Sequence, residues 1–320
     1  MKNLMIVVLA IILTGSCKKD ENPAKFDYQM TDYDVQVTPA ERQVSILFQV
    51  IDAEGIGVDQ LTEYNFNVLE NNSLVSSEAG IKIDPSLIPS KTRTVLLLDI
   101  SGSVADFMAQ LKKATIALIN SQLSNQEFAI FTFDKDVSMI QDFTVDKALL
   151  ISKINAIPET NLVNSTNLYG AMVDVTDGSF FEWIEYYSID EIFSTNLVLF
   201  TDGRDNAGSG ITLAQVIESI GEKKVYVAAL QSTDLSVEPL KQIATQACIF
   251  AENTAQLEAK FVEVQGEIEK LANSLYYLYY TSTITNPASK ENNLEVKIKY
   301  NTDRPENSIK TTFSSEGFNK

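Results

Sequence analysis

The chain has 320 residues, 45% of them hydrophobic and 21% charged, with a formal net charge of −18. That is an ordinary globular composition with length enough for two domains, and the acidic balance, unrelieved by any basic tract, argues against nucleic acid as a partner. Histidine is absent, which removes Ser-His-Asp triads, Cys-His pairs and imidazole-rich zinc or copper sites, and leaves oxygen coordination as the main available chemistry.

At the N-terminus Lys2 precedes the apolar run LMIVVLAIIL, the small residues TGS and then Cys17. The run is too short for a membrane span, which needs roughly 20 apolar residues, and reads as an export leader. It resembles a bacterial lipoprotein signal, which implies cleavage before Cys17 and a diacylglycerol on its sulfur. Thr14 stands where leucine is usual, so an uncleaved anchor or an ordinary secretory signal stays open. KKDEN, directly after the cysteine, is similar to the export tag of Bacteroidetes-type lipoproteins and implies the outer membrane, with the cell-surface face favoured over the periplasmic one. Residues 1–17 are therefore expected to be leader and 18–32 a flexible tether.

From 33 to 90 the texture is β, with VSILFQV and FNVLE as strands between the turn-formers DAEGIG and ENNS. From 91 to 274 it changes to alternating strands and helices, which means a mostly parallel sheet covered on both faces. The expected strands are TVLLLDI, EFAIFTF, VSMIQDF, NLVLFTD, KVYVAAL and ACIFA. FDKDV is too short for a crossover helix, so VSMIQDF is expected as an antiparallel edge strand, with Asp134 and Asp136 as turn residues.

Helical spacing is expected over 104–123, 146–157, 167–187, 212–220, 236–246 and 254–274. The last of these carries a core-packing stripe of Leu257, Phe261, Val264, Ile268 and Leu271. Residues 275–320 return to β alternation. Three strands cannot stand alone, so they are expected to pair with residues 33–90 into a β-sandwich that holds the doubly wound α/β domain as an insertion. Cys248, in ACIFA, reads as a small buried hydrophobe, and a disulfide to Cys17 is not expected.

Ligands of open α/β sheets collect at the carboxyl ends of the strands. Three loops there are rich in oxygen: DISGS with Asp99, Ser101 and Ser103; NSTNLYG with Thr166; and TDGRDN with Asp202. A carboxylate and two hydroxyls at alternate positions can converge if the loop leaves the strand extended, forming a hard pocket suited to magnesium. Each loop alone has a plainer reading, as a helix cap or a turn. Asp205 reads as a solvated loop charge, with tuning of the site as the alternative.

Together the three loops resemble the metal-ion-dependent adhesion site of von Willebrand factor A-type domains: Asp-x-Ser-x-Ser, then threonine, then aspartate, over residues 92 to about 272. The resemblance implies that Asp99, Ser101, Ser103, Thr166 and Asp202 hold Mg2+, with Mn2+ or Ca2+ as alternatives. It also implies that one coordination position accepts a carboxylate from a protein partner, and that the role is adhesion rather than catalysis. Membrane contact would come only through the lipid anchor. Two other readings of the same residues stay open. One is an envelope assembly subunit with a structural metal. The other is a hydrolase with Asp99 as nucleophile; phosphatases carry a second acid two positions on, where this chain has Ser101.

Overall fold

The computed structural model describes residues 26–84, 87–160, 162–203, 205–231, 235–285 and 289–318. The expected leader, with Cys17, lies outside them. In chain order the elements are β1 Gln29–Thr38, β2 Gln43–Ile51, β3 Phe66–Glu70, β4 Ser73–Leu74, β5 Lys82–Ile83 and β6 Ser90–Asp99. There follow α1 Met108–Asn120, β7 Gln126–Phe133, β8 Val137–Thr144, α2 Lys147–Asn155, α3 Leu168–Thr176, β9 Tyr186–Tyr187, β10 Ile192–Thr201 and α4 Leu213–Ile220. The chain closes with β11 Lys224–Leu230, α5 Val237–Ile243, β12 Ala247–Ala251, α6 Leu257–Asn273, β13 Leu275–Thr281, β14 Asn292–Ile298 and β15 Ser308–Phe313.

The central sheet runs β12-β11-β10-β6-β7-β8, parallel except for the edge strand β8. Its inner strands are apolar on both sides because both sides are covered. Leu96 and Leu98 of β6 pack with α1, α2 and α6, whereas Val95 and Leu97 pack with α3, α4 and α5. The α6 stripe from Leu257 to Leu271 is buried as expected. Inside that contact Gln265 and Gln126 exchange side-chain hydrogen bonds, and Gln126 also donates to Thr94 Oγ1 at 2.7 Å. These bonds fix the angular setting of α6 against the sheet.

The two ends of the chain build a sandwich of two antiparallel sheets, β1-β2-β13-β5 and β15-β14-β3-β4. Alternation sorts β2 and β13. Ile46, Phe48, Leu278 and Tyr280 face the sandwich core, while Leu47, Leu275 and Tyr277 face a small cluster with Ile88 and Ile192 at the junction with the α/β unit. Among the described residues no helix is long and apolar enough to cross a membrane.

Four expectations need correction. The helix over 167–187 stops at Thr176, because Gly178 takes φ +90° and Asp177 turns its carboxylate back to accept from Ser179 N. The aromatic run beyond it folds back: Phe180 and Phe181 pack on Phe131, Phe181 also meets Phe143, and Tyr186–Tyr187 pair antiparallel with the start of β10. Within the segment expected as a tether over 18–32, the residues from Gln29 on belong to β1, and Met30 is buried in the sandwich core. Residues 102–107 form a 3-10 helix ahead of α1 rather than its first turn. Cys248 is only half-buried, and burial pushes its thiol up to about 11.

Candidate functional site

β6 and β10 lie side by side and parallel, so their carboxyl ends deliver Asp99 and Thr201 to the same level of the sheet. Asp99 is 0% exposed. Its Oδ1 accepts from Ser101 N at 2.9 Å and its Oδ2 from Thr201 Oγ1 at 2.8 Å. Ser103 Oγ donates to Asp202 Oδ1 at 2.9 Å and lies 3.1 Å from Ser101 Oγ. A continuous set of side-chain oxygens therefore links the first loop to the third.

The second loop closes the ring. Gly102 N donates to Val163 O at 2.8 Å, and a Cβ at Gly102 would overlap Asn164 Oδ1, so only glycine permits this approach with Asn164 in place. On the other side Thr166 N donates to Asn206 Oδ1 at 2.7 Å, while Thr166 O accepts from Asn206 N and Ala207 N at 2.9 and 3.2 Å. Thr166 itself is 3% exposed. The hairpin after β7 supports the same loop, Asp134 O accepting from Asn167 N at 2.7 Å. Asp134 and Asp136 are turn residues, as expected.

The helix-cap readings of Ser101 and Thr166 fail on geometry, whereas Asp99 Oδ1 does accept from Ser101 N as in a turn. Ser101 precedes the 3-10 helix without a side-chain capping bond, and the cap of α3 is Asn167, which accepts from Gly170 N, rather than Thr166. Asp205 is not a solvated charge: its Oδ1 accepts from Tyr169 N at 3.1 Å in the first turn of α3 and so braces the helix behind Thr166. Sequence reading missed Thr201 and Asn206. Thr201 was detectable as a hydroxyl opposite Asp99 once the strand pairing is known, but Asn206 carries no local signal.

Electrostatically the site is loaded with negative charge. Burial pushes the Asp99 carboxyl up to about 6, opposed by its bonds from Ser101 and Thr201 and reinforced by the nearby charge of Asp202. Asp202 is raised too, again by burial, against the bond from Ser103. Two buried carboxylates among hydroxyls, with no imidazole or thiolate, have the chemistry of a donor set for a hard divalent cation, and a positive charge there would oppose both shifts.

Residues 94–204 match a family model described as von Willebrand factor type A domain, and the α/β unit has that type of fold. No curated protein matches the chain. Among solved structures, proximal thread matrix protein 1 from the mussel byssus is similar at 18% identity and a TM-score of 0.48, over 57% of this chain and 49% of that one. This chain thus spans about half the length of the mussel protein. A von Willebrand factor type A protein from Catenulispora acidiphila is 12% identical, with a TM-score of 0.47, over 92% of this chain and 75% of that one. The vWF domain of the type V pili tip protein Mfa5 from Porphyromonas gingivalis is 12% identical, with a TM-score of 0.44, over 57% and 96% respectively.

Proposed function

We propose that Asp99, Ser101, Ser103, Thr166 and Asp202 hold a divalent cation, magnesium in preference to manganese or calcium. On this reading the protein captures a partner protein by accepting one of its carboxylates onto that cation. The observation that carries the reading is the closed ring of three loops around two buried carboxylates, in which the hydroxyls of Ser101 and Ser103 bridge one acid to the other. The cation would supply a Lewis-acidic point of attachment. The chain supplies its orientation, through the backbone bonds that fix Gly102 to Val163 and Thr166 to Asn206.

We read the role as binding rather than catalysis; among the described residues, none at the site stands as an acid-base partner for a nucleophile. We take residues 91–274 as the binding domain, carried by a sandwich of residues 33–90 and 275–320. Cys17 then serves as the lipid anchor in a bacterial outer membrane, facing outward.

The test is a titration of the full chain with magnesium, read as thermal unfolding. A ligand at about a hundred times its Kd stabilises by roughly 2.7 kcal/mol, a rise of several degrees in Tm that chelator reverses and that Asp99→Ala and Asp202→Ala abolish. A Tm indifferent to every divalent cation sinks the metal reading. Capture of a partner by intact cells that survives chelator and Asp99→Ala, beside a normal magnesium shift in vitro, would instead make the metal structural.

A further inference from the structure

We propose that a hollow beside the site takes an apolar side chain of the same acidic segment whose carboxylate meets the cation. The partner would then be recognised by an acidic residue together with an aliphatic or aromatic neighbour. This rests on the metal reading above.

Ile100 stands between Asp99 and Ser101, and its N–H donates to Phe133 O at 2.8 Å at the end of β7. Asp99 and Ile100 continue the alternation of β6. The side chain of Ile100 therefore joins the face of Leu96 and Leu98, toward α2, while Asp99 turns toward Thr201. On that side Ile100, Thr132, Ile140, Ala156, Ile157 and Pro158 line an open hollow of 310 Å³, room enough for one large apolar side chain.

Lys153 stands at the same hollow and makes no ion pair with any described residue. In a chain of net charge −18, a lysine so placed complements an acidic segment and repels a basic one. Ile100 is covalently bonded to two of the cation's proposed ligands, Asp99 and Ser101, so the hollow begins one residue from the site. A segment crossing the cation puts its next residues, about 3.3 Å apart along an extended chain, over Ile100.

The test selects short peptides with one fixed aspartate and all other positions random on the full chain, with magnesium and with chelator. With magnesium, Ile, Leu, Val, Met or Phe is expected to enrich about tenfold at one offset from the aspartate. That preference is expected to vanish in Ala156→Glu, at an exposed position, and in Ile140→Asn, whose thermal unfolding checks that it is folded. Lys153→Glu is expected to lower the share of additional acidic residues. Magnesium-dependent capture without an apolar preference, or with one that survives both hollow variants, overturns the hollow and leaves the metal site standing. Capture indifferent to chelator and to Asp99→Ala overturns the cation's role in holding the partner and this proposal with it.

Discussion

The chain buries a carboxylate in each of its two regions, and the two are treated differently. Glu70, 3% exposed in the sandwich, accepts from Tyr280 OH at 2.9 Å, Thr283 Oγ1 at 2.8 Å and Thr283 N at 3.1 Å. Asp99 at the sheet end accepts two bonds, from a backbone N–H and a hydroxyl, and shares its surroundings with a second acid whose charge opposes its own. The difference teaches what separates an acid held in an internal network from one of the kind proposed above to bind a cation. Glu70 is an acceptor that completes an internal network spanning β3, β13 and the loop after it, whereas Asp99 and Asp202 concentrate negative charge at the carboxyl end of a sheet.

The largest expected effect tests that contrast directly. Glu70→Ala leaves Tyr280 OH without its acceptor inside a packed core and also removes the two bonds from the exposed Thr283. It should cost about 3 kcal/mol from the unmade bonds and the space left behind. Asp99→Ala, in chelator, loses the bonds from Ser101 and Thr201 but removes a charge that burial opposes, so its net change should stay within about 1 kcal/mol. Urea unfolding midpoints of the two variants, measured in chelator, decide the matter. Equal losses would mean that both acids are structural.

What was legible in the sequence divides along the same line. The architecture was readable because it is written locally: doubly apolar strands, the 3.6-residue stripe of α6 and the short FDKDV hairpin each declare themselves within a dozen residues. Asp99, Ser101 and Ser103 were readable for the same reason, through their period-two spacing at a strand end. The braces of the site were not. Thr201 reaches Asp99 across 102 positions and Asp205 reaches Tyr169 across 36, and such pairings exist only once β6 and β10 lie side by side.

The helix expected over 167–187 failed for a related reason. Phe180, Phe181 and Trp183 are apolar at a spacing that suits a helix, yet their partners, Phe131 and Phe143, lie on β7 and β8 and are reached only after Gly178 reverses the chain.

A smaller effect sharpens how the three loops depend on one another. Gly102→Ala places a Cβ against Asn164 Oδ1, the mobile end of a side chain, while Asn164 Cα stays at 3.5 Å. Asn164 must therefore swing away, at a cost of about 1 kcal/mol, with a drop in magnesium affinity because loop two is displaced from loop one. Asn164→Ala added to Gly102→Ala removes the clashing atoms and should restore most of both losses. A double-mutant cycle with no coupling between the two positions would show that this approach does not govern the site.

The smallest expected effect concerns Asp205, where stability and binding should part company. Asp205→Ala removes one acceptor from the first turn of α3, but Asn167 still caps Gly170 N, so the unfolding free energy should fall by only about 0.5–1 kcal/mol. Its consequence for the cation is expected to be larger than that figure suggests. Tyr169 lies three residues beyond Thr166, and Asp205 is the neighbour of Asn206, which grips Thr166 N. Loosening one brace frees the loop that carries Thr166 relative to the loop that carries Asp202. A severalfold weaker magnesium affinity with nearly unchanged unfolding would mean that the ring works by mutual positioning. An affinity equal to that of the unaltered chain would mean that the backbone bonds between Thr166 and Asn206 suffice without Asp205.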